Sequence, residues 1–355
     1  MGNKLICMTK KDGNPRIGSR SKRGSMSKRK SAIEEEMLHR QALAMAIQQH
    51  QLSQRFDNGS LSRRIGSTSS RRRATANLSD PLSNTISSNN KELSPESLDN
   101  MKTKKFVLVH GEGFGAWCWY KSISLLEESG LLPVSLDLMG SGIDQTDTNT
   151  VTTLADYSKP LIDYLQKLPD GEKVILIGHS SGGACISYAL EILPEKISKA
   201  VYVCATMVSN GQKPFDPFAE ELGSGELFSP DSKSLVYGNG TDKPPTAFMF
   251  DKQHLRGLYF NQSPPKDVAL AMVSMRLVPL GPMMEALSLS YKYETGRRFY
   301  IQTLDDHALS ADIQEKLVRE NPPQGVFKIK GSDHCPFFSK PQSLHKILIE
   351  IAQIP

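Results

Sequence analysis

The segment Gly178-His179-Ser180-Ser181-Gly182-Gly183 carries a G-x-S-x-G spacing directly after the apolar run Val174-Ile175-Leu176-Ile177. A strand that ends in this pattern and passes at once into a helix holds its serine in a strained turn, and the flanking glycines give clearance that a Cβ would remove. The helix N-terminus behind it favours negative charge developing nearby. A serine hydroxyl is a poor nucleophile until a base removes its proton, so an imidazole oriented by a carboxylate should follow in the order Ser, Asp, His. Downstream, Thr303-Leu304-Asp305-Asp306-His307 and Lys330-Gly331-Ser332-Asp333-His334 each follow a short apolar run. His334 is the expected base after Ser180. Asp306 is the expected acid that orients it, with Asp305 adjacent and barely separable by position. His307 and Asp333 read as solvated loop residues, and Cys335 as a buried thiol. This chemistry requires no metal and no organic cofactor.

An acyl-transfer site also needs main-chain N–H groups for the oxyanion, one after the nucleophile and one from the loop that follows the first strand. Val107-Leu108-Val109-His110-Gly111-Glu112-Gly113-Phe114-Gly115 supplies that loop, so the expected donors are the backbone N–H groups of Ser181 and Glu112. His110 and His179 read as structural hydrogen-bonders. The glycines at 111, 113 and 115 miss the G-x-G-x-x-G spacing of a dinucleotide loop. A carboxylate aimed at an oxyanion would oppose the transition state, so the Glu112 side chain is expected to point outward or to be paired.

Positioning these residues takes a repeating strand-then-helix scaffold. From Lys105 onward, short apolar runs alternate with helical stretches, the pattern of βα units around a mainly parallel sheet. Strands are expected at 106–109, 133–136, 174–177, 200–203, 298–302 and 326–329, and helices at 116–128, 153–168, 183–193, 311–319 and 341–352. Each candidate site residue then falls at the carboxyl end of a strand, where open α/β sheets place ligands. Residues 207–293 break the rhythm, being rich in Pro, Gly and Met with no clear strand pair, and read as a lid over the sheet. The domain expected is therefore 103–355, an α/β fold with a helical lid insertion.

Residues 1–102 read as a separate leader. Of 25 aromatic residues, only Phe56 lies within the first 100 positions, which also hold 17 serines. Such a stretch cannot recover its backbone entropy by packing. It carries 18 of the 43 Lys and Arg against 9 of the 38 Asp and Glu, leaving the remainder at 25 against 29. The net +5 thus belongs to the leader, and a slightly acidic body without a nucleic-acid-reading motif excludes that class of partner. No apolar run reaches the roughly 18 residues a bilayer crossing demands. Five widely spaced cysteines without a C-x-x-C imply no disulfide framework. Within the leader, Ser31 and Glu34 form a capping-box pattern that opens a marginal helix to about Gln54. Its Ser/Arg richness resembles an organelle transit peptide, whereas Met1-Gly2-Asn3-Lys4 with Cys7 resembles an acylation signal in which Ile6 stands where Ser or Thr is wanted. A plain solvated tail on a cytoplasmic protein is the third reading.

The runs Phe106–Gly111 and Gly115-Ala116-Trp117-Cys118-Trp119-Tyr120-Lys121, the Leu136-Asp137-Leu138 strand end with Ser141-Gly142, the Ser180 elbow, and Lys330–His334 together resemble the plant methylesterase family. These are α/β-hydrolases related to a methyl salicylate esterase, the salicylic-acid-binding protein, and to hydroxynitrile lyases. The likeness spans about residues 103–355, and the basic leader resembles that of the members assigned to chloroplasts. The resemblance implies an α/β-hydrolase fold, an acyl-serine mechanism and small methyl-ester substrates such as those of indole-3-acetate, jasmonate or salicylate. It also implies an acid 28 residues before the histidine, which is Asp306, and leaves a homodimer open. The similar lyases carry threonine after the first-strand histidine and lysine after the catalytic one. Gly111 and Cys335 stand at those places here, so cyanide departure would go unassisted and the esterase branch is expected. A hormone-binding protein with a silent site is the alternative from another class.

Overall fold

The computed structural model describes residues 101–222 and 233–355. The leader, with its acylation and transit readings and its candidate helix, lies outside the described residues, as do positions 223–232 of the expected lid.

Strand β3 (Val174–His179) shows why the sheet is parallel: all six of its residues are buried, the mark of a strand covered on both faces. Its neighbours are β1 (Lys105–Val109) and β4 (Ile197–Val203). The full order is β2-β1-β3-β4-β8-β9, where β2 is Leu132–Leu136, β8 is Arg298–Thr303 and β9 is Gly325–Ile329. Every pairing in this sheet is parallel. Side-chain alternation splits the core into two layers. Val107, Val109 and Leu176 face one, while Phe106, Leu108, Ile175 and Ile177 face the other. All six expected strands are present, extended by one to three residues.

The crossover helices carry legible start signals. Helix α1 (Tyr120–Glu128) follows a 3-10 turn at Ala116–Trp119. Helix α2 (Leu154–Gln166) opens with a reciprocal capping box between Thr153 and Asp156, and buries Leu154, Tyr157, Leu161 and Leu165. Helix α3 (Gly182–Ile192) begins two residues after the nucleophile candidate. The order reverses between β1 and β3, which is the switch point where doubly wound sheets open a crevice.

The 207–293 insertion departs from expectation in one respect. It contains helix α4 (Asp216–Leu222) and then a strand pair that its Pro- and Gly-rich composition concealed: β5 (Lys233–Val236) and β6 (Ala247–Phe250) run antiparallel. Helices α5 (Lys252–Leu258) and α6 (Pro265–Ser274) follow, and β7 (Val278–Pro279) adds to β6. Strands this short, one of them ending in proline, give little alternation to read. Short helices α7 (Leu280–Met284) and α8 (Tyr291–Glu294) lead back to the main sheet at β8, and α9 (Ala311–Glu320), α10 (Pro336–Ser339) and α11 (Pro341–Gln353) complete the layers. Among the described residues, no helix is long and apolar enough to cross a membrane.

Candidate active site

Ser180 sits at φ 51°, a left-handed backbone that only a turn held from all sides imposes on a serine. Its carbonyl accepts the N–H groups of Gly183 and Thr206, both at 3.0 Å, which ties the turn to α3 and to the segment after β4. Glycine is required beside it because a Cβ on Gly182 would lie 2.5 Å from the His110 carbonyl oxygen. Close approach of the β1 loop to the elbow is thus built into the sequence.

Three distant side chains converge here. Ser180 Oγ is 2.8 Å from His334 Nε2, and His334 Nδ1 is 2.7 Å from Asp306 Oδ2. The two neighbouring acids point differently. Asp306 is buried and Asp305 exposed. Asp306 Oδ1 accepts the N–H groups of Ala308 (2.8 Å) and Leu309 (2.9 Å), and Oδ2 accepts the Thr303 hydroxyl (2.9 Å) and Gln314 Nε2 (3.3 Å). Such a carboxylate is fixed in direction and holds the imidazole as the Nδ1–H tautomer, with Nε2 turned to the serine. Burial alone would lower the pKa of His334, but the charge and hydrogen bond of Asp306 outweigh it and hold the pKa well above the ordinary histidine value. His179, also buried, has no carboxylate partner, and burial together with His334 pushes its pKa well below that value. His179 donates from Nε2 to the His334 carbonyl (2.7 Å), and His110 donates to the Gly111 carbonyl (2.7 Å) while accepting the Leu138 N–H (3.1 Å). Both are structural partners, as expected.

Of the two loop residues expected to be solvated, His307 is exposed, whereas Asp333 departs from expectation and is fully buried. Its carboxylate accepts the N–H groups of Gln262 (2.9 Å) and Cys335 (3.0 Å), so its cost of burial is met by main-chain donors. Cys335 is a buried free thiol. His179, Cys204 and His334 lie close enough to suggest a metal cluster. Both ring nitrogens of His334 are already engaged by Asp306 and Ser180, however, and the Cys204 thiol donates to the His334 carbonyl at 3.2 Å.

Glu112 meets the second of the two alternatives expected of it. It is paired, but it points inward. Its Oε1 lies 3.0 Å from Ser180 Oγ and accepts the hydroxyl of Tyr259, and its Oε2 accepts the Ser181 N–H at 3.1 Å. One of the two expected oxyanion donors is therefore already in use by a carboxyl group. The reason lies in the lid. Tyr259, the C-cap residue just after α5, is 3% exposed and packs edge-on against the His334 ring at 4.6 Å, with its hydroxyl directed at Glu112. Phe218 of α4 stacks edge-on to the same imidazole at 6.3 Å. With Ser180 and His334 at 0% exposure, the reacting atoms are enclosed by these lid residues.

Sequence reasoning missed Tyr259 and Gln314. Nothing in the lid's irregular pattern singles out Tyr259. Gln314 left a signal, because it stands on α9 between Ile313 and Leu317, on the face that turns inward. Fully buried, it donates to Leu309 O (2.7 Å), Thr303 O (3.1 Å) and Asp306 Oδ2, and accepts the Thr303 N–H (3.1 Å).

Comparison with known proteins bears on this geometry. Residues 106–346 match the alpha/beta hydrolase family. The chain is 68% identical over the full length of both chains to the Arabidopsis thaliana candidate methylesterase 12, which is named chloroplastic. Among solved structures, the Arabidopsis methylesterase MES16 aligns with a TM-score of 0.64 at 36% identity, over 71% of this chain and 99% of that one. Polyneuridine aldehyde esterase aligns with a TM-score of 0.65 at 30% identity, over 71% of this chain and all of that one.

Proposed function

The chain belongs to the plant methylesterase family of α/β-hydrolases, and from that premise we propose that it cleaves methyl esters of small plant-hormone acids through an acyl-serine intermediate. The observation that carries this reading is the unbroken relay Asp306 Oδ2, His334, Ser180 Oγ, with links of 2.7 and 2.8 Å. Ser180 Oγ attacks the ester carbonyl carbon while its proton passes to His334 Nε2. The C–O bond to methoxide breaks, and methanol leaves with that proton. Water then adds to the acyl-serine, giving its proton to His334, and the serine is released with the acid. Asp306 keeps the imidazole in register and stabilises it while charged.

The lid favours a small apolar acyl group. Phe218 and Tyr259 stand edge-on to the His334 ring, and Tyr259 packs in turn on Phe114, so an aromatic or cyclopentanone acid would meet mostly carbon there. The test is methanol release from methyl indole-3-acetate, methyl jasmonate and methyl salicylate by the full chain and by Ser180→Ala. Release from at least one ester, abolished in the variant, is expected. Saturable binding of the esters without release would favour a binding protein, the reading that the Glu112 carboxyl on Ser181 N–H supports. Cyanide from mandelonitrile would indicate a lyase.

The basic leader and the chloroplast names of the relatives support residence in the plastid. A fluorescent fusion of residues 1–100 entering plastids, unaffected by Gly2→Ala, is the expected result, whereas membrane labelling lost in that variant would indicate acylation. Light scattering on the full chain decides whether the homodimer left open by the resemblance forms.

A further inference from the structure

Glu112 stands between two glycines that seat its loop against the elbow. A Cβ on Gly111 would lie 2.7 Å from Ser180 Cβ, and Gly113 takes a left-handed backbone with φ 76°. The Glu112 side chain, 1% exposed, lies inside the site, where three donors converge on its carboxyl. Oε1 accepts the hydroxyls of Ser180 (3.0 Å) and Tyr259, and Oε2 accepts the Ser181 N–H (3.1 Å). Among the described residues no lysine or arginine is ion-paired with it to draw it elsewhere. Two parts of the reaction are thereby occupied at once. A hydroxyl has a single proton, and while Ser180 gives it to Glu112 it cannot give it to His334 Nε2, 2.8 Å away. The Ser181 N–H, which would face a substrate oxyanion, faces a carboxyl oxygen instead. An ester carbonyl oxygen can take that N–H only after Glu112 leaves it.

What holds Glu112 there comes from the lid. The Tyr259 hydroxyl braces Oε1 while its ring rests 4.6 Å from that of His334. A second tie joins the same loop to the lid, because the Gly113 carbonyl accepts the N–H of Arg276, just beyond α6, at 3.0 Å. The lid that encloses Ser180 and His334 is thus also the element that holds Glu112 against them. Lifting it uncovers the nucleophile and removes the brace in one movement.

We propose that Glu112 is a self-inhibitory latch on the nucleophile, locked by Tyr259, and that opening of the lid releases it. In the resting protein the carboxyl keeps both Ser180 and one oxyanion donor engaged. When Tyr259 moves away Glu112 withdraws, Ser180 turns its proton to His334, and the Ser181 N–H is free for the ester carbonyl. The latch is reversible, so the wild type reacts at a rate scaled by the fraction of molecules in which it is open. This device goes beyond the methylesterase reading and does not depend on which ester is the substrate.

The rate at which an alkyl fluorophosphonate labels Ser180 tests this without any ester. In that reaction Oγ displaces fluoride from phosphorus while its proton passes to His334, and the phosphoryl oxygen uses the Ser181 N–H. Labelling is compared for the full-length wild type, Glu112→Ala, Glu112→Gln, Tyr259→Phe, and Glu112→Ala combined with Tyr259→Phe, with thermal melting as the check on folding. Glu112→Ala should label about tenfold faster than wild type or more, since it frees both the hydroxyl and one oxyanion donor. Glu112→Gln keeps the side-chain volume and serves where alanine unfolds the protein; it should also exceed the wild type. Tyr259→Phe keeps the ring on His334 and removes only the brace, so it should label faster than wild type, by less than Glu112→Ala, and should add nothing in the Glu112→Ala background. A tyrosine that only packs would act equally with or without Glu112. Folded Glu112 variants that label no faster than wild type overturn the latch, as does a Tyr259→Phe effect undiminished by loss of Glu112. Faster labelling of the Glu112 variants in a protein that releases no methanol from any methyl ester supports the latch and overturns the esterase reading alone.

Discussion

His334 is held in its charged form against its own burial by Asp306, and this sets the acid side of activity. As general base it must be neutral, and its pKa is raised, so kcat/KM should be low below the ordinary histidine value and rise with pH through a midpoint above 6.5. Asp306→Asn should move that midpoint down and cut kcat by about 10³- to 10⁴-fold, because the amide favours the wrong tautomer. A midpoint that stays in place would show that another group titrates. The pair was legible in the sequence because each member lies on the loop just after a strand, and each strand is a short apolar run followed by turn residues. The acid was ambiguous between two neighbours until the peptide N–H groups of Ala308 and Leu309 fixed which carboxylate is turned inward. Glu112 was flagged by type, since a carboxylate in that loop conflicts with the chemistry. Its inward direction could not be read, because it depends on Tyr259, which is 147 residues away.

At the scale of elements, the elbow between β3 and α3 depends on packing against the β1 loop. Gly182→Ala would push a methyl carbon to 2.5 Å from the His110 carbonyl oxygen, a backbone atom that cannot yield cheaply. The expected cost is about 3 kcal/mol or more, read as a lower denaturation midpoint, together with lost activity. Helix α9 braces β8 through Gln314. Replacing it by leucine leaves the Thr303 peptide unpaired at both ends, and should cost about 1–3 kcal/mol and slow turnover through Asp306. Lys199 of β4 similarly caps α11, donating to the carbonyls of Ala352 (2.8 Å) and Ile354 (2.6 Å). Burial, with Arg297 nearby, lowers its pKa from 10.5 to about 8. Between those values the unfolded chain binds the proton and the folded chain does not, so this group makes stability rise with pH across that window and flat below it. The full change is about 3 kcal/mol. Subtracting the stability profile of Lys199→Met should isolate it, and a flat difference would exclude the lowered pKa. Elements of the main sheet were readable because both faces are covered, leaving near-continuous apolar runs. The lid's three strands were not, since two to four residues give no period.

At the scale of the whole molecule, the strand order places Ser180 and Glu112 together at the reversal between β1 and β3, and His334 and Asp306 on the loops that follow β9 and β8. Sequence predicts that all of these lie at one edge of a parallel sheet. It does not predict how far the lid closes over them, because closure is decided by which lid side chains turn inward. The lid therefore separates two accounts of the same fold: an enclosed nucleophile poised for acyl transfer, or one silenced by its own carboxyl group. Treating the full-length protein with an alkyl fluorophosphonate and locating the adduct by peptide mass spectrometry distinguishes them most directly. The expected result is a single adduct on Ser180, formed much more slowly in His334→Ala and absent in Ser180→Ala. An unmodified Ser180 in the wild-type protein, or modification equally fast without His334, would contradict the account.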